Sequence, residues 1–161
     1  MGLFGKSKKP KSGPPVHPGQ VLSPHWGTRP NGKFFRLTTL DPEEIGLAGR
    51  GGIYVLWHGG VRPAWVYLGQ ADDLAAAMHN IAGNKSVMQY DNRGGLFVTW
   101  SFARENVRDG ILLFLKNKLQ PEVDNPDVPS EPDPENGLMP IPTVPPGMKI
   151  NVPGEDADDD F

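Results

Sequence analysis

A chain of 161 residues with 16 basic and 19 acidic side chains, a net charge of −3 and no cysteine has the length of one small domain. Disulfides and thiolate metal centres are excluded, and no apolar run approaches the length of a membrane span. The lack of cysteine fits a reducing compartment, and the basic start MGLFGKSKKP has no apolar region that reads as a secretory signal. The expected location is therefore the cytoplasm or a virion, with no membrane partner.

The mild net charge hides a strong segregation. Residues 1–40 carry seven bases and no acid, residues 41–121 eight of each, and residues 122–161 eleven acids against Lys149 alone. Proline segregates with charge: of 18, only Pro42 and Pro63 fall between residues 31 and 120. Three parts follow: a basic Pro/Gly-rich arm (1–40), an α+β core (41–125) and an acidic Pro-rich tail (126–161). Such asymmetry speaks of partners rather than of fold.

In chain order, the arm has little to bury and by itself is expected to be disordered or extended, with no core of its own. Lys6, Lys8, Lys9 and Lys11 cluster near its start and could neutralise phosphates in a sequence-blind, salt-dependent way. Trp26 is its large anchor. Phe34 and Phe35 open a stretch that suits either a short strand or an apolar plug. Asp41-Pro42-Glu43-Glu44 has the cap, the first-position proline and the acidic first turn of a helix start, which Gly46 and Gly49 keep short.

Residues 52–57 and 64–68 are short runs rich in Ile, Tyr, Val and Trp, joined by a turn with Gly59, Gly60 and Pro63. They predict a β-hairpin with a longer loop. Residues 72–82 change period: Leu74, Met78 and Ile81 share one face of a helix that Asp72 or Asp73 caps and Gly83 ends. Residues 84–95 form a polar connector with room for another helical turn. Residues 96–102 predict a third strand. Residues 104–119 predict the strongest helix, with a stripe of Val107, Ile111, Phe114, Leu115 and Leu119 and cations near its end. Gly110 weakens it by about 1 kcal/mol against alanine. In the tail, Leu138, Met139 and Ile141 form small apolar patches between prolines, suited to docking on a surface rather than to forming a core.

The four histidines, His17, His25, His58 and His79, show no metal-ligand spacing. The Gly49-Arg50-Gly51-Gly52 stretch lacks the Lys-Ser/Thr of a phosphate loop. Neither a metal site nor a cofactor is expected.

With Gly52-Ile53-Tyr54 on the first hairpin strand and Tyr67-Leu68-Gly69 on the second, followed by helix, strand, helix and a Pro121 exit, residues 51–125 resemble the GIY-YIG nuclease family. The resemblance implies a small three-stranded antiparallel sheet flanked by helices. It also implies metal-assisted phosphodiester hydrolysis, which needs tyrosines around the water, a cation for the phosphate and a carboxylate for a divalent metal. Tyr54 and Tyr67 match the family's tyrosines. The expected Arg falls on Ala77, the His one turn later on Ile81, and the metal-binding Glu near Leu112, with Asp109 and Glu105 the nearest acids. The motif residues Gly52, Ile53, Tyr54, Tyr67, Leu68 and Gly69 are thus expected as a vestige that serves packing.

The expectation for function is a non-enzymatic structural or adaptor subunit of a many-copy assembly, a phage or phage-derived virion or tail by analogy. Trp26, Phe34, Phe35, Leu138, Met139 and Ile141 are its candidate partner contacts. The alternatives are a divergent metal-dependent nuclease using Tyr54, Tyr67 and Glu105 or Asp109, and a nucleic-acid-binding module using Lys6, Lys8, Lys9 and Lys11.

Overall fold

The computed structural model describes residues 21–147. The protein is α+β, with one antiparallel sheet between helices. Strand β1 is Phe35–Arg36, β2 Gly52–His58, β3 Ala64–Ala71 and β4 Leu96–Phe102; their spatial order is β1-β4-β2-β3. Where the sequence predicts three strands, the structure has four. The addition is the stretch that suited either a strand or a plug, and it is both. Phe35 and Arg36 pair with Val98 and Phe97 at the edge of β4, while Phe34 is buried edge-on against Trp57 with ring centroids 4.9 Å apart.

Every residue of the central strand β2 is buried, as a strand covered on both faces requires. Its alternation assigns the faces. Ile53, Val55 and Trp57 join Leu68, Ile111, Leu112 and Leu115 beneath helix α3 (Glu105–Leu119). Tyr54 and Leu56 join Val66, Leu74, Met78 and Ile81 beneath helix α1 (Leu74–Ala82). The Asp73 carboxylate caps α1 by accepting from the Ala76 amide at 3.2 Å, and Gly83 closes it. The connector holds a one-turn helix α2 (Lys85–Met88) and a 3-10 turn. Residues 41–47 form hydrogen-bonded turns rather than a helix, with Gly46 at φ +85°.

Within the described residues, both arms lie on the core. Past α3 the chain runs along the outer edge of β3: the Glu122 and Val123 amides donate to the Trp65 and Val66 carbonyls at 3.0 and 2.9 Å, and the Asn125 side chain donates to the Leu68 carbonyl at 2.9 Å. Val128 is buried with the α3 cluster. Further on, the Ile141 amide donates to the Gly110 carbonyl at 3.0 Å. The N-terminal segment meets this tail: the Leu22 amide donates to Pro142 O at 2.8 Å, the Val144 amide to Leu22 O at 2.9 Å, and the Trp26 indole to Val144 O at 2.9 Å. The Gly27 amide donates to Trp100 O at 2.8 Å, and the Thr99 hydroxyl to Gly27 O at 2.6 Å. These bonds satisfy backbone that a proline-rich segment cannot pair by itself. Among the described residues, no helix is long and apolar enough to cross a membrane.

Candidate functional site

The hairpin, α1 and the tail segment after α3 enclose a cleft of about 460 Å³. Tyr54 comes from β2, Tyr67 from β3, Ala77 and Asn80 from α1, and Asn125 and Asp127 from the tail segment. The two tyrosines sit on the same face of neighbouring strands because Tyr54 lies opposite Gly69 and Tyr67 opposite Leu56. Their rings stack at 6.4 Å between centroids, inclined by 29°. A side chain at Gly69 would collide with the Tyr54 hydroxyl, so the glycine of the second tripeptide makes room for the tyrosine of the first. The other motif residues are structural. Ile53 and Leu68 point into the α3 cluster, and a Cβ at Gly52 would strike the Ser101 carbonyl.

The electrostatics of the cleft are acidic. Asp73 and Asp127 line it, and among the described residues no Arg, Lys or His does. The Asp73 carboxyl is held below its ordinary range, first by the Ala76 amide. Burial, then Tyr67, then Asp127 hold the Tyr54 hydroxyl far above a phenol's ordinary range; burial, then Asp127 and Asp124 raise Tyr67. Both phenols therefore stay protonated near neutrality, where neither is a general base.

Against the requirements of phosphodiester hydrolysis the arrangement falls short. Ala77 and Ile81 line the cleft where the resemblance calls for Arg and His. Leu112 is fully buried in the cluster on the opposite face of the sheet from Tyr54. Of the acids upstream on α3, Glu105 is exposed in its first turn, while Asp109 accepts from the Gln70 side-chain amide at 2.6 Å and does not line the cleft. Asp73 is committed to capping α1, and among the described residues no three His, Asp or Glu side chains gather into a metal-binding group. The donor set does not fit the divalent metal that the resemblance implies.

The candidate partner residues divide. Phe34 is buried, Trp26, Phe35, Leu138 and Ile141 are partly buried, and Met139 is exposed at 52%. Lys6, Lys8, Lys9 and Lys11, and His17, lie outside the described residues. His25 is exposed on the N-terminal segment. His58 is buried, accepts from the Gly60 amide at 3.3 Å and stacks on Tyr90; His79 pairs with Glu43 at 2.9 Å on the outside of α1. At the hairpin tip, His58, Arg62, Asn92 and Arg93 line a second, more open hollow, with Val61 fully exposed beside it.

Sequence reasoning found the two tyrosines and missed Gln70, Asn80, Asn125 and Asp127. The signal for Asn125 and Asp127 was faint: they follow the end of α3 by a few residues, and only the pairing of that segment along β3 brings them to the cleft. No family model matches the chain, and no curated protein or solved structure matches it.

Proposed function

We propose that the chain acts by binding rather than by catalysis, as a structural or adaptor subunit of a multi-subunit assembly, built on a GIY-YIG-like core without a nuclease site. The observation that carries this reading is the lining of the motif cleft. Apolar Ala77 and Ile81 stand where a phosphate-binding cation would be needed, and Asp73 and Asp127 would repel a phosphodiester. The assembly half rests on charge. The chain before residue 21 holds Lys6, Lys8, Lys9 and Lys11 with no acid, and the chain after residue 147 ends in Glu155, Asp156, Asp158, Asp159 and Asp160. Terminal segments of opposite charge favour association with neighbouring subunits, including further copies of the chain. A phage or phage-derived virion or tail is the kind of particle we have in mind.

Two measurements test this. Purified protein incubated with supercoiled plasmid and magnesium or manganese should leave the plasmid intact; nicking that disappears in Tyr67→Phe would establish the nuclease instead. Lysine cross-linking with mass spectrometry in the producing cells should join Lys6–Lys11 to other subunits. Cross-links confined within single chains would sink the assembly reading.

A further inference from the structure

The cleft over the paired tyrosines has a chemistry of its own, separate from the question of assembly. Among the described residues, its charged lining consists of Asp73 and Asp127. Asp73 is occupied by the α1 amides. Asp127 is exposed, and its carboxylate has no ion-pair partner among the described residues. Lys116, which reaches the tail at the Val128 carbonyl, is spent elsewhere: it bridges Asp124 at 2.8 Å and donates to Ser130 at 2.7 Å. A carboxylate beside a half-buried tyrosine ring is thus left without its counter-charge.

A second observation points the same way and does not depend on the acids. Tyr54 is only 6% exposed, lines the cleft, and its hydroxyl has no hydrogen-bond partner among the described residues. The oxygen is not sealed in the core but opens onto the cleft, so its partner is whatever fills the cleft, water or an occupant that displaces it. Asn80, exposed on α1, lines the same wall and can offer its side-chain carbonyl to an occupant. These groups accept hydrogen bonds, and aromatic rings attract cations across their faces. Among the described residues, an anion would meet two carboxylates and no base.

We propose that this cleft binds an organic cation, an ammonium or guanidinium group, which pairs with Asp127, donates to the Tyr54 hydroxyl and the Asn80 carbonyl, and packs against Tyr67. At about 460 Å³ the cleft lies within the range of small-ligand sites and holds such a head group with part of its alkyl stem. The same chemistry has two sources: a free amine, or the lysines of the Lys6–Lys11 segment of this chain or a neighbouring copy.

The test is a titration of the full-length protein followed by amide NMR, with arginine amide and spermidine as cationic probes and inorganic phosphate and AMP as anionic ones. The cations should shift the side-chain amide signals of Asn80, Gln70 and Asn125 saturably at concentrations up to roughly 10 mM, and the anions should not. Asp127→Asn and Tyr67→Ala should each weaken the cations about tenfold. Asp133→Asn, on the exposed tail, should leave them unchanged. Binding that ignores Asp127→Asn, saturable binding of AMP at the same signals, or no saturable shift with either cation would overturn the proposal. Replacing Lys6, Lys8, Lys9 and Lys11 together by alanine separates the sources. Tighter amine binding in that variant makes the lysine segment the resident occupant, and unchanged binding makes the occupant a separate amine.

Discussion

The hydroxyl of Tyr54 lies over the backbone of Gly69, on the facing strand, in the space that a Cβ would need. The two ends of the sequence motif are therefore one packing unit. Gly69→Ala should destabilise the fold by about 1–3 kcal/mol, the usual cost of an overpacked core. Tyr54→Phe in the same chain should recover part of that loss by removing the hydroxyl. Urea denaturation of the four chains of the cycle measures the coupling. Strict additivity would mean that the two residues do not share the space.

Gly110 lies inside α3, where alanine would ordinarily gain about 1 kcal/mol. Here a Cβ would come within 2.8 Å of the Ile141 side chain and the Met139 carbonyl. Gly110→Ala should therefore lower stability rather than raise it, and should open the 126–147 segment to limited proteolysis. A stabilised, equally protected variant would show that the tail does not rest on this helix.

Arg108 is buried at the start of α3, where it donates to the Ala103 carbonyl at 2.8 Å and to Asp72 at 2.7 Å. The Asp72 side chain is 86% exposed, so water replaces it readily. Asp72→Asn should change the midpoint of thermal unfolding little. Arg108→Ala, which leaves the Ala103 carbonyl without its donor and empties the space beside Gly51, should cost about 1–3 kcal/mol.

Both motif tyrosines hold their protons more tightly folded than unfolded. For such a group the unfolded chain releases its proton first, so stability falls as pH rises above the ordinary phenol value of 10.0. Denaturation midpoints measured from neutrality upward should decline from about that pH. The decline should be shallower in Tyr54→Phe, and a profile identical to the parent's would show that Tyr54 does not contribute.

The parts of the fold legible in the sequence were those with local periodicity. Strand β4 falls on residues 96–102 as read, β2 and β3 run one and three residues past their expected ends, and α1 and α3 start slightly later than expected. What was not legible depends on contacts between distant segments. Nothing near Phe34 announces Trp57 as its partner, and Pro-rich sequence has no period from which the seating of Val128, Ile141 or Val144 could be read. Gly110 looked like a flaw in a helix until the tail crossed it. The candidate site divides the same way: its tyrosines lie in strands with a readable pattern, and Asp127 lies in a segment without one.

The chain that follows α3 covers the outer rim of β3, while β1 and the Gly27 segment occupy the rim of β4. The Trp65, Val66 and Leu68 carbonyls of β3 and the main chain of β4 beside β1 and Gly27 are thereby taken up, so these stretches offer a strand from another molecule fewer partners with which to continue the sheet. Recognition of the protein along them falls correspondingly more to side chains and charge.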